Sequence, residues 1–297
     1  MSARLALVTA AAARDLDEDL PPLEAALREA GVDYAVVDWH DAAVDWSQFQ
    51  FALIRSTWDY TQRLHEFLDW AARVSSATRL VNSSEVIRWN TDKHYLGDLA
   101  RAGVPAVPSH FIEPGEDAAH LIERFLVAHA SDEFVVKPSV GAGSRDAQRH
   151  GRDERAAALA HAQRLLDAGR SVLLQPYLAR VDEHGETALI YFDGKFSHAI
   201  RKGPLLHRGS APTRALFAPE HITPRMPHAD ELRVAEDALA AMPYETPLTY
   251  ARVDLIRDGH DAPCVLELEL TEPSLFFAHG EGAAARFVDV LKRRLDA

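Results

Sequence analysis

The sequence predicts an α/β protein, and three features predict it. Over the first 80 residues, short apolar runs alternate with helix-periodic segments in β-α-β order, the order that builds a parallel sheet with helices packed on it. The rest of the chain mixes further helices with strands, including hairpin patterns. Near the C-terminus two strands carry charged residues two positions apart, Arg252 and Asp254 on one, Glu267 and Glu269 on the other.

Taken in order, residues 5–8 read as a strand and 20–29 as a helix opened by Pro21 and Pro22, since proline suits the first helical turn. Residues 34–37 and 51–55 are further strands, and 64–74 a second amphipathic helix. A second unit starts near Val81. A helix is expected from a cap at Thr91 or Asp92 to Arg101, stopped by Gly103 with Pro105 beyond. Residues 120–130 and 154–168 read as helices, 134–138 and 172–175 as strands. A hairpin of 186–192 and 196–201 turns at Asp193-Gly194. Residues 203–227 show no periodicity and hold five prolines, and a loop of that length is usually functional or mobile. A helix over 230–241, strands over 250–256 and 263–270, and a helix over 282–295 complete the chain.

Net charge is −13, from 32 basic and 45 acidic residues, which argues against a nucleic-acid partner while leaving room for a local basic pocket. The single cysteine, Cys264, excludes an intramolecular disulfide framework and fits a reducing, cytoplasmic location. It reads as a small buried core residue. The opening residues 1–13 have a short apolar stretch behind one arginine, better explained as a first buried strand than as a signal peptide. No run reaches the roughly 18 apolar residues of a membrane span, so no membrane partner is expected. A homo-oligomer is compatible with the sequence.

Side chains two apart on a strand share a face. If 250–256 and 263–270 pair, Arg252, Asp254, Glu267 and Glu269 converge on one face of the sheet. Three carboxylates there repel one another unless a hard cation joins them, and oxygen-only ligands suit Mg2+ or Mn2+. The alternative is a solvated sheet edge of alternating charge. Lys137 ends an apolar strand and is costly to bury without an anionic partner. The small residues after it, with Gly141, Gly143 and Ser144, let backbone amides approach phosphate oxygens, although a plain turn fits equally. The spacing matches neither a Walker loop nor a Gly-x-Gly-x-x-Gly fingerprint. The third strand ends in Arg55, Ser56, Thr57, Trp58, Asp59 and Tyr60, where parallel sheets present ligands. This loop is expected to face a substrate through Arg55, Ser56, Thr57 and Asp59, against the alternative of an ordinary surface turn. Lys202 is placed on the same substrate side. The 15 histidines show no metal-ligand spacing.

Together these features resemble the ATP-grasp superfamily over residues 80–297, with residues 1–80 similar to its companion N-terminal domain. The resemblance implies a parallel substrate-side domain over 1–80. An ATP-grasp fold of two α+β subdomains would follow over 81–297, with a lid-like part at about 105–175. It implies that Lys93 and Lys137 contact the phosphates of ATP. A hinge over Gln175, Pro176, Tyr177 and Leu178 would lie against adenine, and Glu186 would hold the ribose. Arg252 takes a catalytic role, and Asp254, Glu267 and Glu269 hold magnesium or manganese, two ions in all. Glu269 stands where the family usually has asparagine.

The activity implied is ATP-dependent ligation of an amino-acid-like carboxylate through an acyl phosphate. The 55–60 loop and the 268–274 ending look like the O-ureido-D-serine cyclo-ligase and glutathione synthetase-like group, in which a ring closes within one molecule or an amine joins from a second. A non-catalytic ATP-binding module would not need three metal carboxylates.

Overall fold

The computed structural model describes residues 4–209, 221–244 and 247–296. Its first sheet holds β1 (Arg4–Thr9), β2 (Asp33–Asp38), β3 (Phe51–Ile54) and β4 (Arg79–Val81), in the order β2-β1-β3-β4 and parallel throughout. Strand alternation divides its two faces. Leu5, Leu7 and Leu53 pack with Leu23 and Leu27 of α1 (Leu20–Glu29), while Ala6, Val8 and Ile54 pack with Phe67, Trp70 and Val74 of α2 (Leu64–Ser75). Both faces are apolar, as a sheet covered on both sides requires. Each fully buried leucine contributes about 1.5–3 kcal/mol.

The helix expected from a cap at Thr91 or Asp92 to Arg101 begins only at Tyr95, and it follows a helix that was not expected, so the two are α3 (Ser84–Asn90) and α4 (Tyr95–Arg101). Ser83 caps the first, its side chain accepting from the Val86 N–H. Between them the Lys93 N–H donates to the Ser139 carbonyl at 3.0 Å, and the His94 N–H to Asp92 Oδ1 at 3.2 Å. Those bonds replace the helical ladder, so Lys93 stands at a corner between two helices.

A second sheet, antiparallel, holds β5 (His110–Ile112), β6 (Glu133–Pro138), β7 (Gln148–Gly151) and β8 (Val172–Pro176), in the order β5-β8-β6-β7. Phe134 and Val136 face α5 (Ala118–Ala128) and α6 (Arg155–Asp167). Val135 and Lys137, one position out of phase, face the other way.

After α7 (Val181–His184) comes the third sheet, with β9 (Glu186–Phe192), β10 (Lys195–Lys202), β11 (Ile222–Arg225), β12 (Tyr250–Arg257) and β13 (Pro263–Glu269). Its order is β11-β10-β9-β12-β13, antiparallel. The segment expected to be loop over 203–227 thus contains an edge strand, and proline is tolerated there because an edge N–H needs no partner. Residues 210–220 of that segment lie outside the described residues. One face of the sheet packs α8 (Ala229–Ala240) through Leu189, Val253 and Leu255. The other packs α9 (Ala283–Leu295) through Ile190, Phe192 and Tyr250, in a core that also takes in Leu23 and Leu27 of α1. Cys264 is buried, and burial pushes its thiol up to about 12. No helix among the described residues is long and apolar enough to cross a membrane.

Candidate active site

The second and third sheets face each other across a cavity of about 310 Å³, closed at one end by residues of the first domain-sized unit, Trp58 and Tyr60 among them. The face of β12 that packs α9 through Tyr250 turns polar at Arg252 and Asp254, and there it opens to the cavity. Register brings the expected cluster together: Arg252 lies opposite Glu269, and Asp254 opposite Glu267. A bulge follows Asp254, and it leaves Leu266 beside Glu267 on the cavity wall.

Each carboxylate is drawn to a base. Arg252 Nε donates to Asp254 Oδ1 at 2.9 Å and its Nη2 to Asp254 Oδ2 at 3.0 Å, and Nη2 also donates to Glu269. Lys202 Nζ lies 2.5 Å from Asp254 Oδ2 and 3.5 Å from Glu186 Oε2, because β9 and β10 set Lys202 directly opposite Glu186. Lys137 Nζ lies 2.9 Å from Glu267 Oε1, with Lys93 Nζ at 3.8 Å from the same oxygen. Lys93 also donates to the Gly141 carbonyl at 2.8 Å, tying the helix corner to the small-residue loop. Gly143 in that loop has φ 60°, a backbone region that glycine enters without strain. In this arrangement the described residues contain no group of three or more His, Cys, Asp or Glu side chains poised to hold a metal, since lysine and arginine occupy the oxygens.

The titration of these groups follows from burial against charge. Burial pushes Asp254 up, and Arg252 with Lys202 more than reverses it, leaving the carboxyl below its ordinary range. Glu267 follows the same logic, with Lys137 and then Lys93 holding it well below. Glu269 goes the other way: burial outweighs Arg252, Asp254 adds repulsion, and the group rises to about 7. Glu272 rises to about 8, by burial first and then by Glu269.

At the hinge, Gln175 Nε2 donates to Ser109 Oγ at 3.0 Å and the Tyr177 N–H donates to the Glu133 carbonyl at 2.9 Å. The Arg149 guanidinium stacks over the Tyr177 ring at 3.6 Å. Pro176, Tyr177 and Leu178 line the cavity beside Val107, Val135, Ile256 and Leu266, giving an apolar slot between two sheets. These four walls were not singled out from sequence. The same-face rule reaches two of them, because Val135 is two before Lys137 and Ile256 two after Asp254.

The 55–60 loop departs from expectation. Arg55 does not face the cavity: it is 1% exposed, with Nη2 3.5 Å from Asp19 and 4.0 Å from Asp17, and Nη1 donating to the Pro273 carbonyl. Ser56 and Thr57 are fully buried, and Asp59 accepts from Trp39 Nε1 at 2.9 Å. The Arg55 guanidinium, directly after a buried strand, is packed inward, where Asp17, Asp19 and the Pro273 carbonyl are available. The two aromatic members of the loop, Trp58 and Tyr60, reach the cavity instead. Glu272, Ser274 and Phe276 reach it from the segment after β13, and Arg252 Nη1 donates to the Ser274 carbonyl at 3.0 Å. Asp19 fixes that segment by accepting from the N–H groups of Leu275, Phe276 and Phe277 at 2.5, 3.0 and 2.8 Å, which holds Phe276 in a left-handed conformation, φ 51°.

Two antiparallel sheets closing on a cleft, with Lys137 on one wall and carboxylates paired with Arg252 and Lys202 on the other, define the class, an ATP-dependent ligase of the ATP-grasp fold. D-alanine–D-alanine ligase from Bacillus anthracis shares this fold, with a TM-score of 0.69 at 15% identity over 99% of this chain and 97% of that one. The particular relationship is nearer. Residues 5–82 match the family model described as D-cycloserine synthetase DcsG, N-terminal domain. The chain is 44% identical to the cycloserine biosynthesis protein DcsG of Streptomyces lavendulae over 98% of each chain. It superposes on the crystal structure of D-cycloserine synthetase DcsG with a TM-score of 0.91 at 43% identity, covering 98% of this chain and 99% of that one. The chain belongs to the D-cycloserine synthetase DcsG family.

Proposed function

We propose that this protein uses ATP to close O-ureido-D-serine into D-cycloserine. The observation that carries the reading is the opposed pairs Arg252/Glu269 and Asp254/Glu267 beneath Lys137 and Lys93, in a chain of this family along its whole length. The substrate carboxylate attacks the γ-phosphorus of ATP, and ADP leaves. The nitrogen bonded to the side-chain oxygen then attacks the acyl carbon, phosphate departs, and a five-membered ring closes. The carbamoyl group still on that nitrogen is released with water.

Lys93 and Lys137 hold the phosphates, and Arg252 offsets charge at the transferring group. The slot of Val107, Val135, Ile256 and Leu266 with Pro176, Tyr177 and Leu178 takes adenine, buried Gln175 braces that hinge, and Glu186 takes the ribose. Released from their lysine and arginine partners, Asp254, Glu267 and Glu269 would supply an oxygen-only donor set, which suits magnesium or manganese, in two ions. Such a cation, when bound, neutralises phosphate charge. The loop with Gly141, Gly143 and Ser144, on the second sheet, closes over the phosphates, so 105–175 acts as the lid of an ATP-grasp unit over 81–297, and 1–80 is the substrate-side unit. Lys202 stays on the substrate side. Arg55 supports the site from behind.

The test is ADP release from purified protein with magnesium and a panel of amino acids. Release with O-ureido-D-serine alone, with D-cycloserine formed in step, is the expected result. Release that needs an added amine would assign an intermolecular ligase instead.

A further inference from the structure

We propose that Glu272, Tyr60 and Trp58 form the subsite that takes the primary ammonium of the amino-acid substrate. The inference rests on the ligase reading above and adds to it the group by which the substrate is anchored.

The charges of the cavity carry the argument. Asp254, Glu186, Glu267 and Glu269 each lie within 4.0 Å of a lysine or arginine. Glu272 is half-buried on the same cavity, and among the described residues no lysine or arginine nitrogen lies within ion-pair distance of it. Lys93 and Arg252 act on it only from farther away. Burial without a cation beside it favours the neutral, protonated carboxyl, so a ligand that brings a cation is what lets Glu272 ionise.

The surroundings select the kind of cation. Tyr60, 4% exposed, lines the same cavity as Glu272. The Trp58 indole N–H donates to the Glu272 backbone carbonyl at 3.3 Å, which fixes the ring beside it. One carboxylate flanked by two aromatic rings suits an organic ammonium, whereas magnesium demands near-octahedral oxygen coordination. Placement agrees. Glu272 follows Glu269 by three residues, and Arg252 bonds both Glu269 and the Ser274 carbonyl. An α-amino acid carries its ammonium and carboxylate on one carbon, so an ammonium at Glu272 sends the carboxylate towards Arg252, where phosphoryl transfer is proposed.

The experiment compares O-ureido-D-serine with 3-(ureidooxy)propanoate, which lacks only the ammonium, in wild type and Glu272→Gln. Wild type is expected to prefer the ammonium-bearing compound. Glu272→Gln is expected to raise KM for O-ureido-D-serine by about tenfold or more. It leaves KM for ATP within about twofold and lowers kcat/KM for the analogue less than for O-ureido-D-serine. Equal losses on both compounds, or an undiminished preference, would overturn the inference while leaving the ring-closure reading intact. Wild type inert towards O-ureido-D-serine would overturn both. Should the Gln variant not fold, Trp58→Leu on the half-buried ring serves: it must reduce kcat/KM for O-ureido-D-serine more than for the analogue, and an equal reduction overturns the inference.

Discussion

Lys137 Nζ sits 2.9 Å from Glu267 Oε1, so the lysine proposed for the phosphates and the carboxylate proposed for the metal neutralise each other. The pair crosses the cleft, from the second sheet to the third. Nucleotide and cation together would exchange this internal pair for two external ones, lysine to phosphate and carboxylate to metal. The cleft is therefore held ready at little electrostatic cost.

From that pair comes the first prediction. Lys137→Ala should weaken ATP binding by about tenfold or more, the value of a charge-assisted contact. The change in thermal stability should be smaller, because Lys93 remains 3.8 Å from Glu267. Calorimetric titration with ATP and a melting curve read both quantities. Unaltered affinity alongside a collapsed fold would make Lys137 a structural residue.

The carboxylate face gives the second. Asp254→Asn and Glu267→Gln should nearly abolish ADP formation and remove the magnesium-dependent rise in melting temperature in the presence of ATP. Near wild-type turnover in either variant would sink the metal assignment.

Glu269 supplies a pH dependence. Its folded value, about 7, lies above the ordinary 4.5 of a glutamate. The folded state therefore binds the proton more tightly than the unfolded one. The stability this contributes is complete below about 4.5 and is lost as pH rises through about 7. Without metal, wild type should lose stability relative to Glu269→Gln between pH 5 and pH 8, on the order of those two values. Magnesium with ATP should restore more stability at the upper end. Denaturant unfolding at each pH measures it, and a wild type that keeps or gains stability relative to Glu269→Gln as pH rises would contradict the assignment.

Arg55 gives a prediction about the fold. Its side chain and those of Asp17 and Asp19 are at most 6% exposed. Arg55→Ala leaves two buried carboxylates without their cation, a loss of about 3–5 kcal/mol. The variant should unfold at clearly lower denaturant concentration and lose ATP and substrate binding together. A selective rise in KM for the carboxylate substrate, with stability intact, would return Arg55 to the substrate.

These outcomes mark what the sequence made legible. The convergence of Arg252, Asp254, Glu267 and Glu269 follows from period-two alternation and a hairpin, both local properties, and the structure has that register. Lys137 was readable because a lysine closing an apolar strand demands an anion. The inward packing of Arg55 was not readable, because its partners Asp17, Asp19 and the Pro273 carbonyl come from distant parts of the chain. The corner at Lys93 depends likewise on a bond to Ser139, so helix propensity over 92–101 ran straight through it. Edge strand β11, with Pro224 in a four-residue run, carries no alternation and acquires its form from pairing with β10.

The central claim is that the substrate carboxylate is phosphorylated before the ring closes, and an isotope test reads it directly. O-ureido-D-serine labelled with 18O in both carboxylate oxygens is turned over with magnesium and unlabelled ATP, and the inorganic phosphate is analysed by mass spectrometry. Attack on the γ-phosphorus carries one carboxylate oxygen into the phosphate that later leaves, so the account predicts one 18O in each phosphate released. Phosphate free of label, with D-cycloserine still formed, would contradict it.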